Sequence, residues 1–158
     1  MLGKTYEGQY CSVARSLEVV GERWSLLILR DAILSGVTRF SDFQHNLGIA
    51  TNVLTSRLEG LIEAGLMERG ADGTYRLLPP GEDLKPVILA FVQWGDKWRA
   101  PDGPPGLFTH AECGRPVTVV AQCETHGTIS PDEIDVAPGP GAPPEWVASR
   151  RPSAVGHG

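Results

Sequence analysis

The order of predicted elements in the middle of the chain constrains its fold more than any other feature of the sequence. Phe40, Phe43 and Leu47 have the spacing of one face of a short helix, which Gly48 closes. The next helix is predicted over residues 51–64. Its core face carries the apolar side chains of Leu54, Leu58, Leu61 and Ile62.

A β-hairpin is predicted directly after this helix. Short strands at residues 66–69 and 74–77 flank the sequence Gly70-Ala-Asp-Gly73, and an Asp-Gly pair between two strands is a strong hairpin signal. The predicted order is that of a winged helix-turn-helix, in which a short helix is followed by a glycine turn, a helix with a polar outer face and a hairpin. We therefore predict a mainly α fold with a β-hairpin wing.

Three further helices are predicted around this motif. Val13, Leu17 and Val20 mark the first, and the apolar run from Trp24 to Leu34 marks the second. The third is long and carries an apolar stripe formed by Leu84, Val87, Phe91, Trp94 and Trp98. Such a stripe is too apolar for a lone surface helix, so we expect a second copy of the chain to cover it.

The composition of the chain changes near residue 100. Residues 1–99 carry the winged helix-turn-helix pattern, and residues 100–106 form a linker, because prolines block helix formation and glycines loosen the backbone. We expect a small β extension over residues 107–137. Residues 138–158 are dominated by Pro, Gly and polar residues, which predicts a poorly ordered tail.

The polar face of the helix at 51–64 is the candidate DNA-reading surface. Short hydroxyl and amide side chains let a helix approach the base edges of the major groove, and arginines near it would contact phosphates. The candidate DNA-binding residues are Arg39, Ser41, Thr51, Asn52, Thr55, Ser56, Arg57, Arg69 and Arg76. Alternatively, this helix face is only solvated, and Arg57 pairs with Glu63 or another acidic side chain on the domain surface.

Seven short motifs occur in uninterrupted order between residues 8 and 98. They are CSVAR at 11–15, LEVVG at 17–21, WSLLILR at 24–30, RFSDF at 39–43, NVLTSRL at 52–58, EAGLMER at 63–69 and WG at 94–95. Together they resemble the HxlR family of winged-helix transcriptional regulators. The resemblance implies a cytoplasmic homodimer that binds a pseudo-palindromic operator in double-stranded DNA, usually as a repressor. It places the dimer contact in the N-terminal region and the long helix.

Two positions depart from the family pattern. The wing tip is short, and Ala50 stands where family members usually have a helix-capping Ser. Loss of such a cap costs about 1 kcal/mol.

Cys11 is a candidate redox-sensing residue. Its position matches the N-terminal cysteine that some family members use to sense oxidants or electrophiles. A reactive thiol needs a pKa lowered by a helix N-terminus or a nearby cation, and here the first helix follows Cys11, with Arg15 one turn on. The alternative is a small buried hydrophobic side chain at the dimer contact.

The predicted β extension contains two pairs of metal-ligand residues. His110 and Cys113 form one pair, Cys123 and His126 form the other, and a Gly follows each pair, as in the tight turns that hold metals. Two thiolates and two imidazoles suit tetrahedral zinc. We therefore predict a structural zinc in a segment resembling a small zinc ribbon, with a strand at 117–121. A metal-free β-hairpin is the alternative.

Composition and motifs argue against several other classes. The 158 residues include 14 basic and 19 acidic side chains, so the chain is no uniformly basic nucleic-acid coat. It lacks an apolar run long enough for a membrane span or a secretory signal, and it lacks the motifs of common enzymes. We expect a cytoplasmic, non-enzymatic regulator that answers a small-molecule effector or a redox signal. The alternative is a winged-helix adaptor that binds proteins and not DNA, which the acidic balance favours slightly.

Overall fold

The core of the winged helix-turn-helix is built on α2, which spans Arg23–Ser35. The structure, a computed structural model, describes residue 6 and residues 9–149. Ile28 and Leu29 of α2 are fully buried, and the helix contacts α4, α6 and α3, as well as the second strand of the wing. It therefore fixes the positions of all the elements that carry the candidate site.

The first helix, α1, spans Ser12–Val20 and leaves most of its apolar side chains in the open. Val20 at its end joins the core, whereas Val13 and Leu17 are exposed. The helical spacing of these residues was predicted correctly, but the single chain does not bury their common face.

The helix-turn-helix consists of α3 (Phe40–Leu47) and α4 (Thr51–Glu63). Gly48 between them has a φ of 59°, a left-handed conformation that favours glycine. The predicted core stripe of α4 is confirmed, since Leu54, Leu58 and Leu61 are buried. Ala50 caps α4 with no side-chain hydrogen bond, as expected for alanine.

The wing is the antiparallel pair β1 (Met67–Arg69) and β2 (Tyr75–Leu77). Gly73 of the predicted Asp-Gly turn has a φ of 79°, so the hairpin signal identified the turn correctly. Tyr75 anchors β2 to the helices: its N–H donates to the Thr38 carbonyl at 2.7 Å, and its ring meets that of Phe43 edge-on at 6.4 Å.

A one-turn helix, α5 (Pro79–Glu82), leads from the wing into the long helix α6 (Lys85–Arg99). Leu84 before α6 and Ile88 within it pack towards the core. The remaining members of the predicted stripe are exposed, and they are Val87, Phe91, Trp94 and Trp98. Leu84 is the residue before the first turn of α6 and packs against the core, whereas the members further along the helix extend beyond the core.

The residues after α6 form two hairpins. The first is closed by the bridge between Thr109 and Pro116, and the second pairs β3 (Ala121–Cys123) with β4 (Gly127–Ile129). The strand predicted at 117–121 is wrong for all but its last residue, because no neighbouring strand pairs with Val117–Val120.

The chain divides into two compact units. One comprises Val19–Val120, and the other combines described residues of the first 18 with those from Ala121 onward. The predicted linker at 100–106 thus lies inside the first unit. Within the predicted tail, Pro144–Ser149 form a short helix, α7, because a proline suits the first turn, where its missing N–H costs no hydrogen bond. Residues 150–158 lie outside the described part of the chain.

Candidate nucleic-acid interface

The outer face of α4 is a row of short polar side chains open to solvent. The exposed members are Thr51, Asn52, Thr55 and Ser56, as predicted. The Gln44 side-chain amide donates to the Thr51 hydroxyl at 2.8 Å and so links α3 to the first turn of α4. The sequence analysis did not single out Gln44, because its partner lies across the turn on the next helix.

Arg57 points away from this row. Its guanidinium lies 3.7 Å from the Glu22 carboxylate, just before α2, and its Nε is buried. Of the two interpretations of Arg57, the structure favours the ion pair on the protein surface. The ion pair links α4 to the start of α2, while the buried leucines of α4 set its orientation within the unit.

Arg39 and Ser41 lie at the start of α3, and both are exposed. Arg39 is the residue before the helix, and its side chain forms no ion pair with a carboxylate of the described residues. The Ser41 hydroxyl donates to the Asp42 carboxylate at 3.1 Å. Arg39 is therefore the more available of the two for a phosphate.

In the wing, Asp72 forms an ion pair with Arg76, one of the two predicted arginines. Its carboxylate accepts from the Thr74 hydroxyl at 2.7 Å and from the Thr74 N–H at 3.2 Å, and the Arg76 guanidinium lies at 2.7 Å. The two Thr74 hydrogen bonds, and then the positive charge of Arg76, hold the pKa of Asp72 below its usual range. Arg69 is exposed, with its guanidinium 5.8 Å from the centre of the Tyr75 ring.

The same part of the chain matches a known family. A family model described as HxlR-like helix-turn-helix matches residues 19–103, which include the helix-turn-helix, the wing and α6. The chain belongs to the HxlR-like helix-turn-helix family. It is therefore a transcriptional regulator with a helix-turn-helix fold, in agreement with the resemblance found in the sequence.

Relatives of this HxlR-like protein are described as transcriptional regulators or transcription factors. The uncharacterized HTH-type transcriptional regulator Rv3095 of Mycobacterium tuberculosis is 41% identical over 150 residues, covering 89% of this chain and 92% of the relative. The structure of a candidate transcription factor of Pseudomonas aeruginosa, PA1374, is 42% identical with a TM-score of 0.61, covering 86% of this chain and 97% of the other. PA1607, another candidate transcription factor, is 36% identical with a TM-score of 0.73, covering 82% and 96%.

Cys11 of this HxlR-like regulator is half-buried just before α1. Arg15, the cation expected to act on its thiol, has its guanidinium 3.0 Å from the Glu18 carboxylate. The Tyr6 N–H and Arg15 together keep the pKa of Glu18 below its usual range. The charge of Arg15 is thus shared with an acid, and redox sensing by Cys11 stays a prediction.

The four predicted zinc ligands fall into the two compact units, one pair in each. Within the described residues no group of three or more His, Cys, Asp or Glu side chains is placed to hold a metal ion. The Cys123 Sγ lies 3.4 Å from the His126 Nδ1, and the backbone N–H groups of His126 and Thr125 lower the pKa of Cys123. The pairing within this turn suits a metal ligand, but a zinc ribbon is not supported.

Among residue 6 and residues 9–149, no helix is both long enough and apolar enough to cross a membrane.

Proposed function

We propose that this regulator binds an operator in double-stranded DNA as a homodimer, with α4 in the major groove and the wing against the adjacent backbone. It acts as a repressor in the cytoplasm, and a small molecule or a redox change alters its DNA binding. The observation that carries the proposal is the exposed polar row on α4. A helix whose exposed side chains over its first two turns are short can approach base edges closely enough for hydroxyl and amide groups to bond them.

The arginines around α4 supply the phosphate contacts of this proposal. Arg39 and Arg69 are exposed and bound to no carboxylate among the described residues. Arg76 must exchange the Asp72 carboxylate for a phosphate. Phosphate contacts hold the protein in register on the duplex, while the α4 side chains select the sequence.

The dimer part of the proposal depends on the exposed stripe of α6. Phe91, Trp94 and Trp98 are 58%, 54% and 62% exposed in the single chain. Aromatic side chains at such exposure in a continuous row mark a surface that another protein covers. A second copy would relate two α4 helices by a two-fold axis, and they would read half-sites about one helical turn of DNA apart.

Two substitutions in the wing test DNA binding with opposite expected signs. Arg76→Ala takes away a cation that would bind phosphate, so it should weaken binding to all DNA sequences. The slope of log K against log salt concentration should fall by about 1 for each phosphate that is no longer neutralised. Asp72→Asn removes the carboxylate that holds Arg76, so it should strengthen binding. The measurement is a mobility shift across a salt series, on duplexes from the region upstream of the protein's own gene and on unrelated duplexes.

The opposite expected changes in DNA affinity distinguish an effect of charge from an effect of a distorted wing. Both variants break the same ion pair, so a distorted hairpin would weaken binding in both. Arg115→Ala removes one positive charge outside α3, α4 and the wing, and it should leave affinity unchanged. If the wild type binds no duplex in a salt-dependent way, the DNA proposal fails and the protein-binding adaptor takes its place.

We also propose, from the sequence pattern, that His110, Cys113, Cys123 and His126 bind one structural zinc per chain. The support is local. Gly114 and Gly127, which follow the two pairs, have left-handed φ values of 65° and 70°, and the N–H groups around Cys123 stabilise a thiolate.

Elemental analysis of protein purified without chelator or a metal-affinity step should find about one equivalent of zinc, since a zinc-bound structural site releases its metal only to strong competitors. Cys113 and Cys123 should resist alkylation until a chelator is added, whereas Cys11 should react at the same rate before and after. Zinc below about a tenth of an equivalent, with Cys113 and Cys123 reacting at once, identifies the segment as metal-free hairpins.

A further inference from the structure

One side of α6 lines a groove that belongs neither to the core nor to the exposed stripe. The groove has a volume of about 190 Å³. Leu89, Val92 and Asp96 line it from the helix, and Phe108 and Val117 are among the residues that line it from the first hairpin after α6. All of these residues lie within the unit Val19–Val120, and the walls are apolar apart from a few side chains.

The groove faces the opposite way from the exposed stripe. At about 100° per residue, Leu89, Val92 and Asp96 lie on the side of α6 opposite to Phe91 and Trp94. A second copy of the chain on the stripe would therefore leave the groove accessible. The groove and the proposed dimer contact share one helix without competing for the same side chains.

The outer wall of the groove is held in place by hydrogen bonds. The Gln93 side-chain amide donates to the Val119 carbonyl at 3.3 Å and accepts from the Val119 N–H at 3.0 Å. The Val117 N–H donates to the Phe108 carbonyl at 2.8 Å. Gln93 thus binds both backbone groups of Val119, which a neighbouring strand would otherwise bind.

Asp96 is the acidic side chain in this apolar groove. It is half-buried, and no basic side chain of the described residues forms an ion pair with it. The basic neighbours are engaged elsewhere, with the Lys97 Nζ 4.9 Å from the Trp98 ring and the Arg99 guanidinium 5.7 Å from the Trp94 ring. Asp96 also lies in the last turn of α6, where the helix dipole favours a cation.

We propose that this groove binds a small organic amine, with its ammonium group paired to Asp96 and its apolar part against Leu89, Val92 and Phe108. A dry apolar cavity of about 150 Å³ holds one benzene ring, so the groove suits a single aromatic ring or a branched aliphatic chain of similar size. As an effector, such an amine would act on α6 and hence on the dimer stripe. That role depends on the proposed function, whereas the binding itself does not.

Three ligands of one shape but different charge test the binding. Isothermal titration of the full chain without DNA compares phenethylamine, 2-phenylethanol and 3-phenylpropionate. Phenethylamine should bind saturably at one per chain and about tenfold more tightly than the alcohol, because a charge-assisted hydrogen bond to a half-buried carboxylate exceeds a neutral one. The carboxylate analogue should bind most weakly of the three.

Variants locate the site. Asp96→Asn should reduce the affinity for phenethylamine to that for the alcohol, and Val92→Trp should fill the groove and abolish the binding of both. Asp102→Asn, at an exposed carboxylate outside the groove, should change neither. The proposal is overturned if phenethylamine does not bind, if the three ligands bind alike, or if Asp96→Asn binds the amine like the wild type.

A final measurement separates the ligand site from the regulatory role. Phenethylamine at saturation should change the affinity of the wild type for its operator and leave that of Asp96→Asn unchanged. If the amine binds but operator affinity does not move, the effector role is overturned, while both the ligand site and the proposed DNA binding stand.

Discussion

Phe91→Asp is expected to convert this protein from a dimer into monomers. The substitution puts one carboxylate from each copy into the surface that the proposed dimer buries. An uncompensated buried charge costs about 3–5 kcal/mol, and each 1.4 kcal/mol changes an equilibrium constant tenfold. The dimer dissociation constant should therefore rise by at least about a hundredfold. The fold of the single chain should survive, because Phe91 is exposed in it.

Sedimentation equilibrium at micromolar concentration measures the effect, and circular dichroism checks the fold. Phe91→Leu provides the matched control, since it keeps an apolar side chain at the same place and should leave the dimer intact. Operator binding should weaken steeply in Phe91→Asp, because each monomer then holds only one half-site. A wild type that sediments as a monomer, or a Phe91→Asp variant that stays dimeric, would refute the dimer.

Helical and strand periodicity predicted most of the DNA-binding unit. Helices α2, α3, α4 and α6 and the two strands of the wing lie where the apolar spacing and the glycines place them, within one or two residues. This worked because the apolar side chains of each element recur with its structural period, both where they are buried, as in α4, and where they are exposed, as in α6. Gly36 and Gly48 predicted the C-terminal ends of α2 and α3 correctly, since both glycines take left-handed conformations there.

Elements that depend on a distant contact were missed. The residues of α5 begin with Pro79-Pro80-Gly81, which has the composition of a turn, yet the backbone completes one helical turn there. The apolar run at 117–121 has the composition of a strand, but the Gln93 side chain binds its backbone and no strand pairs with it until Ala121. A single sequence does not show which side chain will occupy those backbone groups.

The same limit applies to the candidate site. The polar row of α4 follows from helical spacing alone, because it lies opposite Leu54, Leu58 and Leu61. The partners of the arginines do not follow from spacing. Arg57 pairs with Glu22, which lies 35 positions away in the sequence. Asp72 contacts both Thr74 and Arg76 because of the shape of the turn between the strands. Sequence spacing thus locates a surface, whereas three-dimensional contacts decide which of its charges are available.

Gly81→Ala is expected to destabilise the protein strongly through the junction of α5 and the wing. Gly81 is buried, and an added Cβ would overlap the Leu66 carbonyl oxygen and press on a methyl group of Leu77. That carbonyl already accepts the Leu78 N–H at 2.9 Å, which holds the end of the wing to the start of β1. The overlap is with backbone, so relief requires α5 and β1 to move apart and this hydrogen bond to weaken.

The free energy of unfolding should fall by about 3 kcal/mol, the upper part of the usual range for overpacking, and the melting temperature by roughly 10 °C. Gly60→Ala is the matched control. Its added Cβ meets no atom within 4 Å in the last turn of α4, and alanine favours helix over glycine, so it should stabilise by about 0.5–1 kcal/mol. Chemical denaturation of the two variants beside the wild type gives both values. Equal stability of Gly81→Ala and the wild type would show that α5 is not fastened to the wing through the Leu66 carbonyl.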